Sequence, residues 1–197
     1  MSNTSKPHLT DQQLVAAVRR GDRHAFGLII KSTEGLVAQM TFKMISSPGD
    51  RKDIAQDVYL KVFKNLPGFR FKSKLSTWVG QIAYNTCLNY LEKRKLVLLD
   101  QLEKDGESSE DQIIADPQAG AEEKLSGKEL AGILQAEIDL LKPLYRTLIS
   151  LYHQEELSYT EIAEITSLPE GTVKNYIFRA RKMLKEQIIL KYKRSEL

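Results

Sequence analysis

A chain of 197 residues, 42% of them hydrophobic and 8% aromatic, has the material for one or two small cores, which excludes disorder throughout. Its formal charge of +3 is unevenly spread. Residues 100–123 hold nine Asp or Glu against one Lys, a local −8, so the remainder carries +11, the balance expected of surfaces that meet nucleic acid. No run approaches the roughly 18 apolar residues of a membrane span. The stretch MSNTSKPHLT lacks the apolar centre of a signal peptide, so the expected location is the cytoplasm, without membrane insertion. The single Cys87 excludes an intrachain disulfide; its apolar helical setting suits an inert core thiol, with a redox sensor as the alternative. His8, His24 and His153 are scattered without metal-ligand spacing, and no GxSxG, HExxH, phosphate loop or dinucleotide fingerprint is present. The expectation is therefore no metal, no cofactor and no catalytic site.

Helical periodicity runs through the first half. Thr10 and Gln13 fit a capping box, Leu14, Val15 and Val18 make an apolar stripe, and Gly21-Asp22 marks a stop and a new start. A second helix carries Phe26, Ile29, Ile30, Leu36, Val37, Met40 and Met44 and ends near residues 46–49. A third is expected from Asp50 to Leu66. Its buried side is read as Ile54, Val58 and Val62, supported by Ala55, Tyr59 and Phe63, which leaves Gln56, Asp57, Leu60, Lys61 and Lys64 outward. That outward face is either a solvated surface with one stray leucine or a protein-docking face.

The segment LPGFRFKSK breaks the pattern before a fourth helix, expected from about Leu75 to Lys95. Here aromatics alternate with positive charge: Phe69, Arg70, Phe71, Lys72, Ser73 and Lys74, then Trp78. Exposed aromatics stack on unpaired bases while lysines track phosphates, as single-stranded nucleic acid requires. Trp78 alone fits a core position as well as a stacking platform. An acidic flexible linker, residues 98–123, follows, and with it two small helical domains, 8–97 and 124–197, in an all-α fold. After the linker, helices are expected over Leu125–Leu141 and Leu144–Tyr152.

The C-terminal stretch SYTEIAEITSLPEGTVKNYIFRARKML contains two S-x-x-E helix starts, at Ser158 and Ser167. A two-turn helix, Tyr159–Ile165, a tight turn, and a helix admitting Pro169 in its first turn outline a helix-turn-helix. On the second of these helices, Val173, Tyr176, Ile177, Ala180, Met183 and Leu184 share one side. Lys174, Asn175, Phe178, Arg179, Lys182 and Lys185 share the other. Gly171, without a Cβ, lets the helix start approach a phosphate. Lys174 and Arg179 suit guanine acceptors, Asn175 suits adenine and Phe178 suits a thymine methyl, while Arg181, Lys182 and Lys185 suit the backbone.

In order, the segments GDRHAF, DRKDIAQDVYLKVF, FRFKSKLSTWVGQIAYN and SYTEIAEITSLPEGTVKNYIFRAR resemble the extracytoplasmic-function (ECF) sigma factors of bacterial RNA polymerase, which hold only the second and fourth sigma domains. The resemblance spans nearly the whole chain apart from the linker. It implies that Asp53, Gln56, Asp57, Leu60 and Lys61 dock on the β′ clamp of core polymerase. It implies that Phe69 to Lys74, Trp78 and Asn85 recognise and open the −10 element. It places Thr172, Lys174, Asn175, Phe178, Arg179, Arg181 and Lys182 on the −35 element. The expected partners are core RNA polymerase and promoter DNA, with an anti-sigma factor encoded elsewhere; the free chain is expected to be a monomer. Three positions depart from the family pattern: Asn175-Tyr176 stands where Ser-Arg is frequent, Asn89 and Glu92 replace acidic and arginine positions, and Gly80 interrupts the fourth helix at a cost of about 1 kcal/mol relative to Ala. The rival reading is a free-standing helix-turn-helix operator-binding regulator, which would dimerise on a palindrome.

Overall fold

The computed structural model describes residues 9–105 and 127–195. They form α1 (Asp11–Arg19), α2 (Arg23–Met44), α3 (Pro48–Asn65), a 3-10 turn (Leu66–Gly68), α4 (Leu75–Asp105), α5 (Gly127–Leu140), α6 (Pro143–His153), α7 (Tyr159–Thr166) and α8 (Glu170–Ser195). Among the described residues there is no strand. The N-terminal stretch through His8, residues 106–123 of the expected linker, and Leu125 lie outside the described residues.

Local chemistry sets the helix starts. Thr10 and Gln13 close a reciprocal capping box on α1. Gly21 takes a φ of 92°, a conformation that a side chain disfavours, and Asp22 then accepts from the His24 and Ala25 N–H groups to start α2. Pro48 opens α3 in its first turn, where no N–H partner is lost. Ser158 and Glu161 form the expected box on α7.

Several helix ends shift by one or two residues from the sequence reading, and two departures go further. α4 continues to Asp105 rather than Lys95, so residues 98–105 of the expected linker are helical. No Gly or Pro occurs from Gln81 to Asp105, and the first breaker is Gly106. The second capping box, at Ser167, does not start α8. Ser167 instead closes α7 in the left-handed region, with φ 57° and ψ 27°, while the Pro169 carbonyl accepts from Thr172 and Val173 at the start of α8. The Glu170 carboxylate turns away to Thr160 and Lys174.

Helices α2, α3 and α4 pack together through Val37, Met40, Val58, Val62, Val79, Ala83 and Cys87. α1 lies across one end over a smaller cluster of Leu14, Val15, Ala25, Ile29, Leu66, Phe69 and Leu75. In the second half, α6, α7 and α8 enclose Leu148, Leu151, Ile162, Val173, Ile177 and Ala180. Fully burying each large aliphatic side chain is worth about 1.5–3 kcal/mol. The two halves also pack on one another, α4 against α7 and α2 against α6, so that their cores are continuous.

Candidate nucleic-acid and protein interfaces

Three surfaces hold the residues singled out in the sequence. The first is the outer face of α3. Ile54, Val58 and Val62 are buried and anchor the helix, which leaves Asp53, Gln56 and Asp57 exposed and Leu60 69% exposed. Lys61 is half-buried; its Nζ lies 2.9 Å from Asp57 Oδ2 and 3.3 Å from Thr86 Oγ1. Phe63 corrects the sequence reading: it is 55% exposed. At ~100° per residue it sits about 140° round from Val58, and its ring meets Phe26 edge-on at 5.0 Å. Leu60, Phe63, Phe26, Ile30 and Tyr59, with Gln56, line a shallow open groove between α2 and α3. An apolar groove with the Gln56 amide in its lining, on a helix that also exposes Asp53 and Asp57, suits a protein partner.

The second surface is the loop from Leu66 to Lys74 with the start of α4. Phe69 is buried, its ring tilted against Phe71 at 4.8 Å and Trp78 at 4.9 Å. Trp78 is half-buried against both core clusters. The ring that reaches solvent from the loop is that of Phe71. Phe71 is held at φ 55°, a left-handed conformation that costs a side-chain-bearing residue about 1–2 kcal/mol. Arg70 and Lys72 are exposed, Ser73 is half-buried, and Asn85 is exposed about three turns into α4.

Two residues of α1 fix this loop, and neither was singled out in the sequence. Arg19 Nη2 donates to the carbonyls of Pro67 and Phe69, both at 3.0 Å, and Asp11 Oδ2 accepts from the Leu75 N–H at 2.9 Å, capping α4. Charge-assisted bonds of this kind are the stronger class. Their partners lie 48 to 64 residues away in sequence, so no local pattern announces them.

The third surface is α8. Val173, Ile177, Ala180 and Leu184 are buried; Lys174, Asn175, Arg179, Arg181 and Lys182 are exposed, Thr172 is half-buried, and Phe178 is 66% exposed. Around Gly171 an added Cβ would meet open space. Lys174 is paired with Glu170 at 2.6 Å, which raises the pKa of the lysine and lowers that of the glutamate. Lys182 reaches Glu186 at 3.9 Å. Arg181 turns toward α6, where its guanidinium lies 3.0 Å from His153 Nε2 and covers the Tyr152 ring at 5.0 Å. Burial and then this neighbouring charge push the His153 pKa down.

The aromatic loop before α4 and the helix-turn-helix meet directly. Lys74 Nζ lies 2.7 Å from Glu161 Oε1, and the bond from Lys74, followed by those within the Ser158 cap, brings the Glu161 pKa down to about 2. Cys87 lies on the buried side of α4, and desolvation pushes its thiol up to about 12. It therefore offers no thiolate for redox chemistry near neutral pH. Among the described residues no group of three or more His, Cys, Asp or Glu is placed to hold a metal, and no helix is long and apolar enough to cross a membrane.

Comparison with known families matches residues 29–97 to Sigma-70 region 2 and residues 131–184 to Sigma-70, region 4. The chain is 35% identical over 182 residues to the ECF RNA polymerase sigma-E factor of Haemophilus influenzae, covering 91% of this chain and 96% of that one. It is 32% identical over 188 residues to the ECF RNA polymerase sigma factor SigW of Bacillus subtilis, covering 88% and 94%. Its fold is shared with CnrH, solved in complex with the cytosolic domain of CnrY, at TM-score 0.62 and 20% identity over 91% of this chain and 97% of that one. It is shared also with the sigma factor RpoE of Bartonella quintana, solved with the anti-sigma factor NepR, at TM-score 0.61 and 22% identity over 86% and 97%. The two region matches fall on the two halves that carry the α3 groove, the aromatic loop and the α8 face, and the full-length relatives carry both halves in one chain. The chain belongs to the ECF RNA polymerase sigma factors, which are initiation factors and not enzymes.

Proposed function

We propose that this chain directs promoter-specific initiation by binding core RNA polymerase through α3 and reading the −35 and −10 elements through α8 and the Phe69–Lys74 loop. The observation that carries the reading is the two-sided character of α8, whose Val173, Ile177 and Ala180 side is sealed while Lys174, Asn175, Phe178 and Arg179 stand outward. Such a helix enters the major groove with its N-terminal half. There Arg179 and Lys174 address guanine, Asn175 adenine and Phe178 a thymine methyl, while Thr172, Arg181 and Lys182 hold the backbone.

In the first half, Phe71 and Trp78 stack on unpaired bases of the −10 element. Phe69 acts from beneath by holding both rings, and Arg70, Lys72, Ser73, Lys74 and Asn85 line the strand's path. Asp53, Gln56, Asp57, Leu60 and Lys61 meet the β′ clamp, and the exposed ring of Phe63 extends that contact. The protein works in the cytoplasm as a monomer until it joins polymerase. An anti-sigma factor encoded elsewhere is the expected negative partner, as in the solved relative that holds NepR.

Run-off transcription with core polymerase on a library randomised at both elements tests this. Selective initiation that requires both elements is the expected result. Binding of a palindromic duplex as a dimer, without polymerase, would replace it with an operator-binding regulator.

A further inference from the structure

We propose that His153 and Tyr152, at the end of α6, are positioning residues of the −35 reader: they hold the Arg181 guanidinium against α6 in the free chain and release it to a DNA phosphate as His153 takes up a proton. The inference rests on the −35 reading proposed above and deepens it, by naming what governs one of the backbone contacts.

On α8, Lys174 and Arg181 stand seven residues apart, which at ~100° per residue puts both on one flank of the outward face. Each is held by the protein itself. Lys174 pairs with the Glu170 carboxylate at 2.6 Å and lies 5.5 Å from the centre of the Tyr159 ring. Arg181 sits instead in a corner made by two rings, Tyr152 and His153, whose centres are 4.9 Å apart and whose planes meet at 83°. The Tyr152 ring, stacked on Tyr159 at 4.7 Å, offers the guanidinium a plane at 5.0 Å. His153 Nε2 lies 3.0 Å from Arg181 Nη2 and 3.2 Å from its Nε.

A guanidinium has donors and no acceptor, so His153 Nε2 must present its lone pair and the ring proton must sit on Nδ1. A proton taken from solvent at Nε2 removes that lone pair and sets two cations against one another. A phosphate then offers Arg181 the better acceptor, an anion matched to its fork of N–H groups. The coupling also runs the other way. Once a phosphate draws Arg181 off, His153 is left on the last turn of α6, where the helix carbonyls favour a cation. In the free chain, burial and then Arg181 hold its pKa below the ordinary value.

The groups around His153 leave it as the switching member. Arg181 faces it from α8, Tyr152 stands beside it on α6, and Tyr159 of α7 lies behind Tyr152, with the Lys174–Glu170 pair beyond. α2 and α5 meet this end of α6 through the amides of Gln39 and Gln135, both bonded to Gln154, and the carboxylates of Glu155 and Glu156 follow in the chain. Of these groups, the imidazole is the one whose ordinary pKa lies between about 5 and 8.

The test uses holoenzyme assembled from core polymerase and the full chain, titrated with a labelled promoter duplex at pH 6 and pH 8 and at two salt concentrations. The parent is compared with His153→Gln, which keeps an acceptor for Arg181 but takes up no proton, and with Arg181→Ala. After division by the His153→Gln profile, which removes the share of polymerase and the other histidines, the parent should bind about two- to fourfold tighter at pH 6 than at pH 8, as a ring freed to titrate near 6.5 requires. Its salt slope should be steeper by about one at the lower pH. Arg181→Ala should match His153→Gln in both respects. One pH profile shared by parent and His153→Gln overturns the proposal; so does an Arg181→Ala chain that keeps the parent's gain, because the imidazolium would then act on DNA by itself. A second measurement needs neither polymerase nor DNA: by NMR, the His153 ring protons of the free chain should titrate at lower pH in the parent than in Arg181→Ala, and equal titration also overturns the hold. If that difference is present but the parent holoenzyme binds no promoter at either pH, the function proposed above is what fails, and the phosphate destination of Arg181 falls with it.

Discussion

Truncating Leu60 separates docking from folding more cleanly than any other change on α3. Leu60 is 69% exposed in the free chain, while Val58, two positions away on the same helix, is fully buried. Fully burying a leucine is worth about 1.5–3 kcal/mol, so covering the remaining surface recovers about 1–2 kcal/mol on docking. Leu60→Ala should therefore raise the Kd for core polymerase about 5- to 30-fold and change the unfolding free energy by less than about 0.5 kcal/mol. Val58→Ala should do the reverse, costing about 1–3 kcal/mol of stability while the folded fraction binds normally. Titration of a fluorescently labelled chain with core polymerase reads the first quantity, and urea unfolding reads the second. A Kd for Leu60→Ala within twofold of the parent, in a chain that unfolds normally, would refute the assignment of the α2–α3 groove to polymerase. It would leave Leu60 as a stray surface leucine.

Three other outcomes follow from the same geometry. Phe71→Ala should impair open-complex formation more than closed-complex binding, by about 1–3 kcal/mol, with the defect fading on a pre-melted promoter; an equal defect on both templates would remove the stacking role. Arg179→Ala should cost about 1–3 kcal/mol at one −35 position and leave that position unread, whereas Lys182→Ala should weaken all promoters alike and reduce the salt slope by about one; matching selectivity profiles in a −35 library would undo that division of α8. The depressed pKa of His153 means that the folded chain favours the neutral ring, so its contribution to stability is present above the usual 6.5 and is lost as pH falls through the folded value. Thermal melting should accordingly decline on acidification below about 6.5, with His153→Gln flattening that part of the profile; identical profiles for parent and variant would dismiss the Arg181–His153–Tyr152 contact as a pH-sensitive element.

What the sequence made legible is what short-range physics determines. The Thr10–Gln13 and Ser158–Glu161 boxes are closed by side chains three residues apart, and both form as expected. The apolar periodicity of α8 is likewise a property of one helix, so its buried and outward sides separate as the 3.6-residue repeat requires. Phe63 escaped because an aromatic at the edge of a stripe is assigned inward by composition, although its angle around the helix carries it to the groove. Ser167 fitted the same S-x-x-E pattern as Ser158, yet a pattern does not specify φ. Closing α7 in the left-handed region took Ser167 out of position to start the next helix.

The aromatic loop shows where local reading stops. Phe69 and Phe71 flank Arg70 identically in sequence, and nothing in FRF distinguishes the ring that packs from the ring that is presented. The distinction comes from α1: Arg19 grips the Pro67 and Phe69 carbonyls, drawing Phe69 into the cluster with Leu14, Val15 and Ile29. Phe71, two residues on, is then turned out on a left-handed backbone. Gly80 belongs to the same class of residue. Read within α4 it is only a weakness in a helix, and its reason appears when Ile165, 85 positions later, is brought within 3.0 Å of where a side chain would begin. Residues whose identity is set by a distant partner look like faults in their own segment, and in this chain two such residues, Phe71 and Gly80, lie where the aromatic loop is aimed and where the two halves meet.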